Sequence, residues 1–108
     1  MIEKPNLNYI ESIADGDKDF MDKLIDVIRT ELPLEIKQYY DCSKKNKLKE
    51  TAEIVHKIKH KISILGLEKS YIIAENYENS LKILTPDNTL QLKFETTLRL
   101  MSDFIARL

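Results

Sequence analysis

The run Val55-His56-Lys57-Ile58-Lys59-His60-Lys61-Ile62-Ser63-Ile64-Leu65-Gly66-Leu67 decides the fold. Val55, Ile58, Ile62 and Leu65 recur at spacings of three and four, which gathers them in one sector of an α-helix. Gly66 follows at once, the residue type that most readily ends a helix. At about 100° per residue, His56 points roughly 140° away from the centre of the apolar sector. His60 points almost directly outward. Ala52, Lys59, His60, Ser63 and Leu67 then share the outer face with His56.

The same period extends in both directions. Asn8 to Ala14 reads as a short amphipathic helix carrying Tyr9, Ile10 and Ile13. Asp15-Gly16-Asp17 breaks it, and Asp17 suits the N-cap of the next helix. That helix runs from Lys18 to about Tyr40, and Pro33 inside it predicts a kink or a split in two. Cys42 to Asn46 reads as a polar connection. The histidine helix spans about Lys47 to Ile64, and a fourth helix follows from Glu68 to about Leu84. Thr85-Pro86-Asp87 marks a boundary, with Thr85 as cap and Pro86 in the first helical position. A last helix then reaches about Ala106. Short links between long helices predict an all-α, antiparallel up-and-down four-helix bundle with a short extra N-terminal helix, residues 1–108 forming one domain.

Composition narrows the function classes. The 108 residues hold 17 basic and 18 acidic side chains, a net charge of −1, two glycines and one cysteine. So few turn residues argue against a many-stranded fold. The even charge argues against a nucleic-acid binder. A lone cysteine excludes an internal disulfide and fits a reducing compartment. No apolar run nears the roughly 20 residues of a membrane span. Met1-Ile2-Glu3-Lys4-Pro5 lacks the apolar stretch of a signal peptide. The expectation is a cytoplasmic protein. Cys42 lacks a nearby base and reads as a surface or half-buried thiol. The five tyrosines are expected at the bundle edge. The aspartates 15, 17, 19 and 22 read as capping residues, because no EF-hand glutamate accompanies them.

An outward imidazole near neutral pH is a nucleophile that can carry a phosphoryl group. A lysine one turn on can set positive charge beside the phosphoryl oxygens. Most exposed histidines among lysines are only solvated surface. The spacing around His56 says more. His56, Lys59 three residues on, the small Ser63, and Leu65-Gly66 at nine and ten resemble the signature of histidine-containing phosphotransfer (HPt) domains. The short first helix, the Asp-rich turn and the proline-bearing second helix resemble the family too. One position departs: the family's glycine at offset four is His60 here.

The resemblance implies a phosphorelay intermediate of two-component signalling. His56 would accept a phosphoryl group from a receiver-domain aspartate, Lys59 would support it electrostatically, and a second receiver aspartate would take it on. Ala52, His60, Ser63 and Leu67 would line the docking surface, while Leu65 and Gly66 serve the fold. Ile13, Phe20 and Leu24 are further candidates for that surface, with core packing as the plainer reading. The implied partners are response-regulator receivers and a hybrid histidine kinase, with no membrane and no nucleic acid, and the chain is a monomer. It is a phosphocarrier without kinase activity: no Gly-rich phosphate loop is present. No cofactor is expected, since Mg²⁺ belongs to the receiver.

Two other classes compete. His56 and His60 at i, i+4 could share Zn²⁺ or Cu²⁺, but Lys57 stands where a zinc protease needs Glu, and lysines surround the pair. No metal is expected. The alternative function is a helical adaptor that binds receivers without phosphotransfer, with His60 crowding the imidazole.

Overall fold

A computed structural model describes residues 3–108, so the first two residues of the lead, and that part of the signal-peptide reading, lie outside it. Among the described residues there are five α-helices and no strand: α1 (Asn8–Ala14), α2 (Lys18–Lys44), α3 (Leu48–Ile64), α4 (Glu68–Lys82) and α5 (Asn88–Ala106). No helix is long and apolar enough to cross a membrane. α3 packs against both α2 and α4, α5 against both α4 and α2, and α1 against α2.

The helix limits follow from local chemistry. Asp17 caps α2 as expected, its carboxylate accepting from the Phe20 amide at 3.0 Å. α2 does not split at Pro33. Only one amide donor is lost there, the ring faces solvent, and buried Leu32 and Tyr39 anchor the helix on either side. The helix also outruns its expected end by one turn, so Cys42 is helical and half-buried. It closes at Asn46, which takes a left-handed φ of 54° while the Lys47 amide donates to the Cys42 carbonyl at 3.0 Å. α4 ends two residues early, through Leu84 at φ 59° and the Thr85 amide on the Ser80 carbonyl. Thr85 is thus still closing α4. The cap of α5 is Asp87, not Thr85, and its carboxylate accepts from the Leu90 amide at 3.0 Å.

Gly66 closes α3 as predicted. The Leu67 amide reaches back to the Ile62 carbonyl at 3.1 Å and the Gly66 amide to Ser63 at 3.0 Å, with Gly66 at φ 78°. The lead then straps this turn. The Asn6 amide donates to the Leu65 carbonyl at 2.9 Å, and the Glu3 carboxylate accepts from the Lys69 and Ser70 amides at 2.8 and 2.9 Å. Glu3 so caps α4, whose own N-cap residue Leu67 offers no side-chain bond. A Cβ on Gly66 would stand 2.7 Å from the side-chain amide nitrogen of Asn6. The Asn6 side chain can turn away, but the left-handed backbone cannot be relieved. Gly66→Ala is expected to cost about 1–2 kcal/mol, read as a lower thermal midpoint.

The core holds the expected stripe of Val55, Ile58, Ile62 and Leu65 and an aromatic cluster, while of the α1 stripe only Ile10 is buried and Tyr9 and Ile13 stay exposed. Tyr39, Tyr77 and Phe94 meet edge-on or tilted with centroids 5.1–6.3 Å apart. These two tyrosines lie inside the bundle, not at its edge. The Tyr39 hydroxyl donates to Glu95 at 2.8 Å, so Tyr77 donates to Tyr39 at 2.9 Å. Burial, reinforced by these neighbours, pushes the Tyr39 hydroxyl far above the ordinary phenol range. A second buried polar link joins α2 to α3. Lys61 reaches Glu31 and Glu35, each at 3.0 Å. Burial pulls its ammonium down, but the two carboxylates outweigh this and hold it above the usual lysine range.

Candidate functional site

α3 carries neighbours on two sides, and that sets what it leaves open. Thr51, Ala52, Ile54, Val55, Ile58, Lys59, Lys61 and Ile62 are buried. The exposed positions form a narrow stripe: Lys49, Glu53, His56, His60 and Ser63, with Glu50 and Lys57 beside it. His56, His60 and Ser63 are therefore where the outward-face reading puts them.

Three other residues of that reading are not. Leu67 is wholly buried. α3 has already ended at Ile64, and past the Gly66 turn Leu67 begins α4, so a 100° step no longer tells its direction. A buried Leu67 cannot line a docking surface. Ala52 is buried too, though it floors a groove beside His56. Lys59 is buried and turned toward α4. Leu65 and Gly66 serve the fold as expected, one as a core residue and the other as the helix stop. Of the further surface candidates, Ile13 and Phe20 are exposed and Leu24 packs partly against the core.

The centre of the site is a residue the sequence reading passed over. Glu78 on α4 has a side chain only 3% exposed, while that of His56 is 51% exposed. The Nδ1 of His56 lies 3.2 Å from Glu78 Oε2 and 3.3 Å from Oε1. A carboxylate only accepts, so Nδ1 carries the proton, and the Nε2 lone pair is left free at the outer edge of the ring. Two more cations converge on the same carboxylate. Lys59 Nζ is 3.1 Å from Oε1, and Lys82 Nζ is 2.7 Å from Oε2. Lys59 Nζ also stands 5.5 Å from the centre of the Tyr71 ring. Burial pushes the Glu78 carboxyl up, but the bonds from Lys82, Lys59 and His56 outweigh it and hold it below the usual carboxylate range.

Chemically, this is an imidazole fixed in one tautomer by a buried carboxylate, with its basic nitrogen turned to solvent. Such an arrangement orients a nucleophile and offers a counter-charge to the imidazolium that forms when Nε2 bonds. Beside it runs an open groove of about 620 Å³, lined by Lys49, Ala52, Glu53, Lys57, Glu78 and Lys82. The rings of His56 and His60 meet edge to face with centroids 4.9 Å apart. Among the described residues no cluster of three or more His, Cys, Asp or Glu side chains is arranged to hold a metal.

Glu78 did leave a trace in the sequence. It is in phase with Ala74, Tyr77 and Leu81 on the buried face of α4, a charge within an apolar stripe. No family model, no curated protein and no solved structure matches the chain, so its function is read from this geometry alone.

Proposed function

We propose that the chain is a phosphorelay intermediate of the HPt kind, with His56 as the phosphoryl acceptor. The observation that carries this reading is the half-exposed His56 held through Nδ1 by the buried carboxylate of Glu78, which presents Nε2 outward. In the proposed step the Nε2 lone pair attacks the phosphorus of a receiver's aspartyl phosphate. The N–P bond forms as the P–O bond breaks, and the aspartate leaves with the bonding pair. Positive charge grows on the imidazole, and its Nδ1 proton is shared with Glu78. The acyl phosphate and the phosphoramidate are both high in energy, so the group can move on to a second receiver aspartate or return.

In this reading α2 to α5 form the antiparallel up-and-down bundle, with α1 as the added helix. The docking surface combines the groove beside His56 with the exposed His60 and Ser63 further along α3. The partners are response-regulator receivers and a hybrid histidine kinase, and the Mg²⁺ belongs to the receiver. The chain works as a monomer in the cytoplasm, as a phosphocarrier rather than a kinase.

The experiment is transfer from phosphorylated receivers. The wild-type protein is expected to gain label that is lost in acid and kept in alkali, as a phosphoramidate is. A protein that binds receivers but gains no label from any of them would instead be the helical adaptor.

A further inference from the structure

Resting on that reading, we propose that His60, rather than Lys59, is the cationic side chain that holds the phosphoryl group on His56. Glu78 occupies Nδ1, so the new bond forms at Nε2, on the exposed edge of the ring. A phosphoryl group there spreads negative charge over three oxygens and is stabilised by a donor set beside it. The neighbouring lysines are committed elsewhere. Lys59 and Lys82 lie on Glu78, at 3.1 and 2.7 Å. Lys61 lies on Glu31 and Glu35. Moving Lys59 outward would take one of its ion pairs from a buried carboxylate.

His60 is placed for the task. It stands one turn past His56 on the same exposed stripe, with its ring 4.9 Å from that of His56. Among the described residues no hydrogen bond or ion pair engages it. A turn about its side-chain torsions sets a ring N–H against a phosphoryl oxygen. The charges on the elements around α3 are mostly paired with one another. On α4, Glu78 and Lys82 face His56 and are bound to each other, and Glu75, one turn earlier, is exposed without a partner. On α2, Glu31 and Glu35 are held by Lys61. On α3 itself, Lys57 is exposed beside the stripe.

Histidine differs from lysine in one respect that matters here: as a residue type it gains its charge between about pH 8 and 5. A histidine clamp therefore gives an advantage over glycine that varies with pH, whereas a lysine clamp gives the same advantage throughout. The position where the family has glycine would then carry a pH-dependent phosphoryl clamp.

The test uses phosphoramidate as donor, which removes receiver docking from the measurement. Its N–P bond breaks, ammonia leaves, and the phosphoryl group passes to His56. Labelling rates are compared for wild type, His60→Gly and His60→Lys between about pH 6 and 8.5. Changes in the phosphoramidate itself are common to all three proteins and cancel in the ratios. Wild type is expected to label about 5–10-fold faster than His60→Gly at the acid end, with the ratio falling toward one at the alkaline end. His60→Lys is expected to stay fast throughout. Superimposed profiles for wild type and His60→Gly, or a faster His60→Gly at every pH, would overturn the proposal while leaving His56 as the acceptor. Failure of the wild type to label on His56 at all would overturn the acceptor reading and this inference with it.

Discussion

His56→Gln is expected to lose acid-labile label from phosphorylated receivers by at least about 10³-fold, the scale of removing a nucleophile outright. The amide of Gln can still donate toward Glu78, but it has no lone pair able to take a phosphoryl group. Fold should survive, because His56 is half-exposed and Glu78 keeps Lys59 and Lys82. Stability is expected within about 1 kcal/mol of wild type, checked by a thermal melt. The companion variant His60→Gln should still carry label on His56, since its Nε2 and its carboxylate are untouched. Label that persists in His56→Gln and vanishes in His60→Gln would transfer the acceptor role to His60.

The outward direction of His56 was legible because Val55, Ile58, Ile62 and Leu65 are enough to orient a helix. Lys59 was misread for a related reason. A single apolar sector treats α3 as having one neighbour, while α2 and α4 both cover it, and the buried arc widens to include Ala52, Lys59 and Lys61. Two lysines therefore sit at core positions, each meeting an acid from a neighbouring helix. Sequence shows the phase of such a residue but not its partner. Nothing in the spacing of α4 says that Glu78 meets His56 rather than solvent, because that depends on the register of two helices. Local signals did better. Asp17 and Gly66 act within three or four residues, and both do what their types predict. Asp87 displaced Thr85 as cap because the end of α4 used Thr85 first.

The burial of Lys59 also changes what its spacing from His56 means chemically. In the sequence, a lysine one turn on reads as a hand on the phosphoryl group. In the structure, its ammonium is a fixed charge on Glu78, which in turn fixes His56. Its effect on transfer runs through the carboxylate. Lys59 and Lys82 keep Glu78 ionised inside the protein, and only an ionised Glu78 sets a full negative charge against the imidazolium.

The variants at Glu78 test that chain of dependence. Glu78→Ala removes the acceptor and leaves Lys59 buried without a partner. Breaking one side of a buried pair in this way is expected to cost about 3 kcal/mol, a fall in the thermal midpoint on the order of 10–20 °C for a domain of this size. Labelling is expected to fall about 100-fold, because the ring loses both its tautomer and its counter-charge. Glu78→Gln separates the two losses. Its carbonyl still accepts from Nδ1, so the tautomer survives while the charge does not, and labelling should fall about tenfold. The double variant Lys59→Met, Glu78→Met replaces the buried ions by apolar groups of similar length and should recover most of the stability. It should recover none of the labelling, an outcome that a purely structural role for Glu78 would not produce. Acid titration adds an independent sign. Because the folded carboxyl lies below its usual range, its stabilising contribution is complete above that range and is lost as pH falls through the lowered value. The wild type should therefore lose stability more steeply on acidification than Glu78→Gln, and parallel acid curves would mean that Glu78 is not the ion the site is built on.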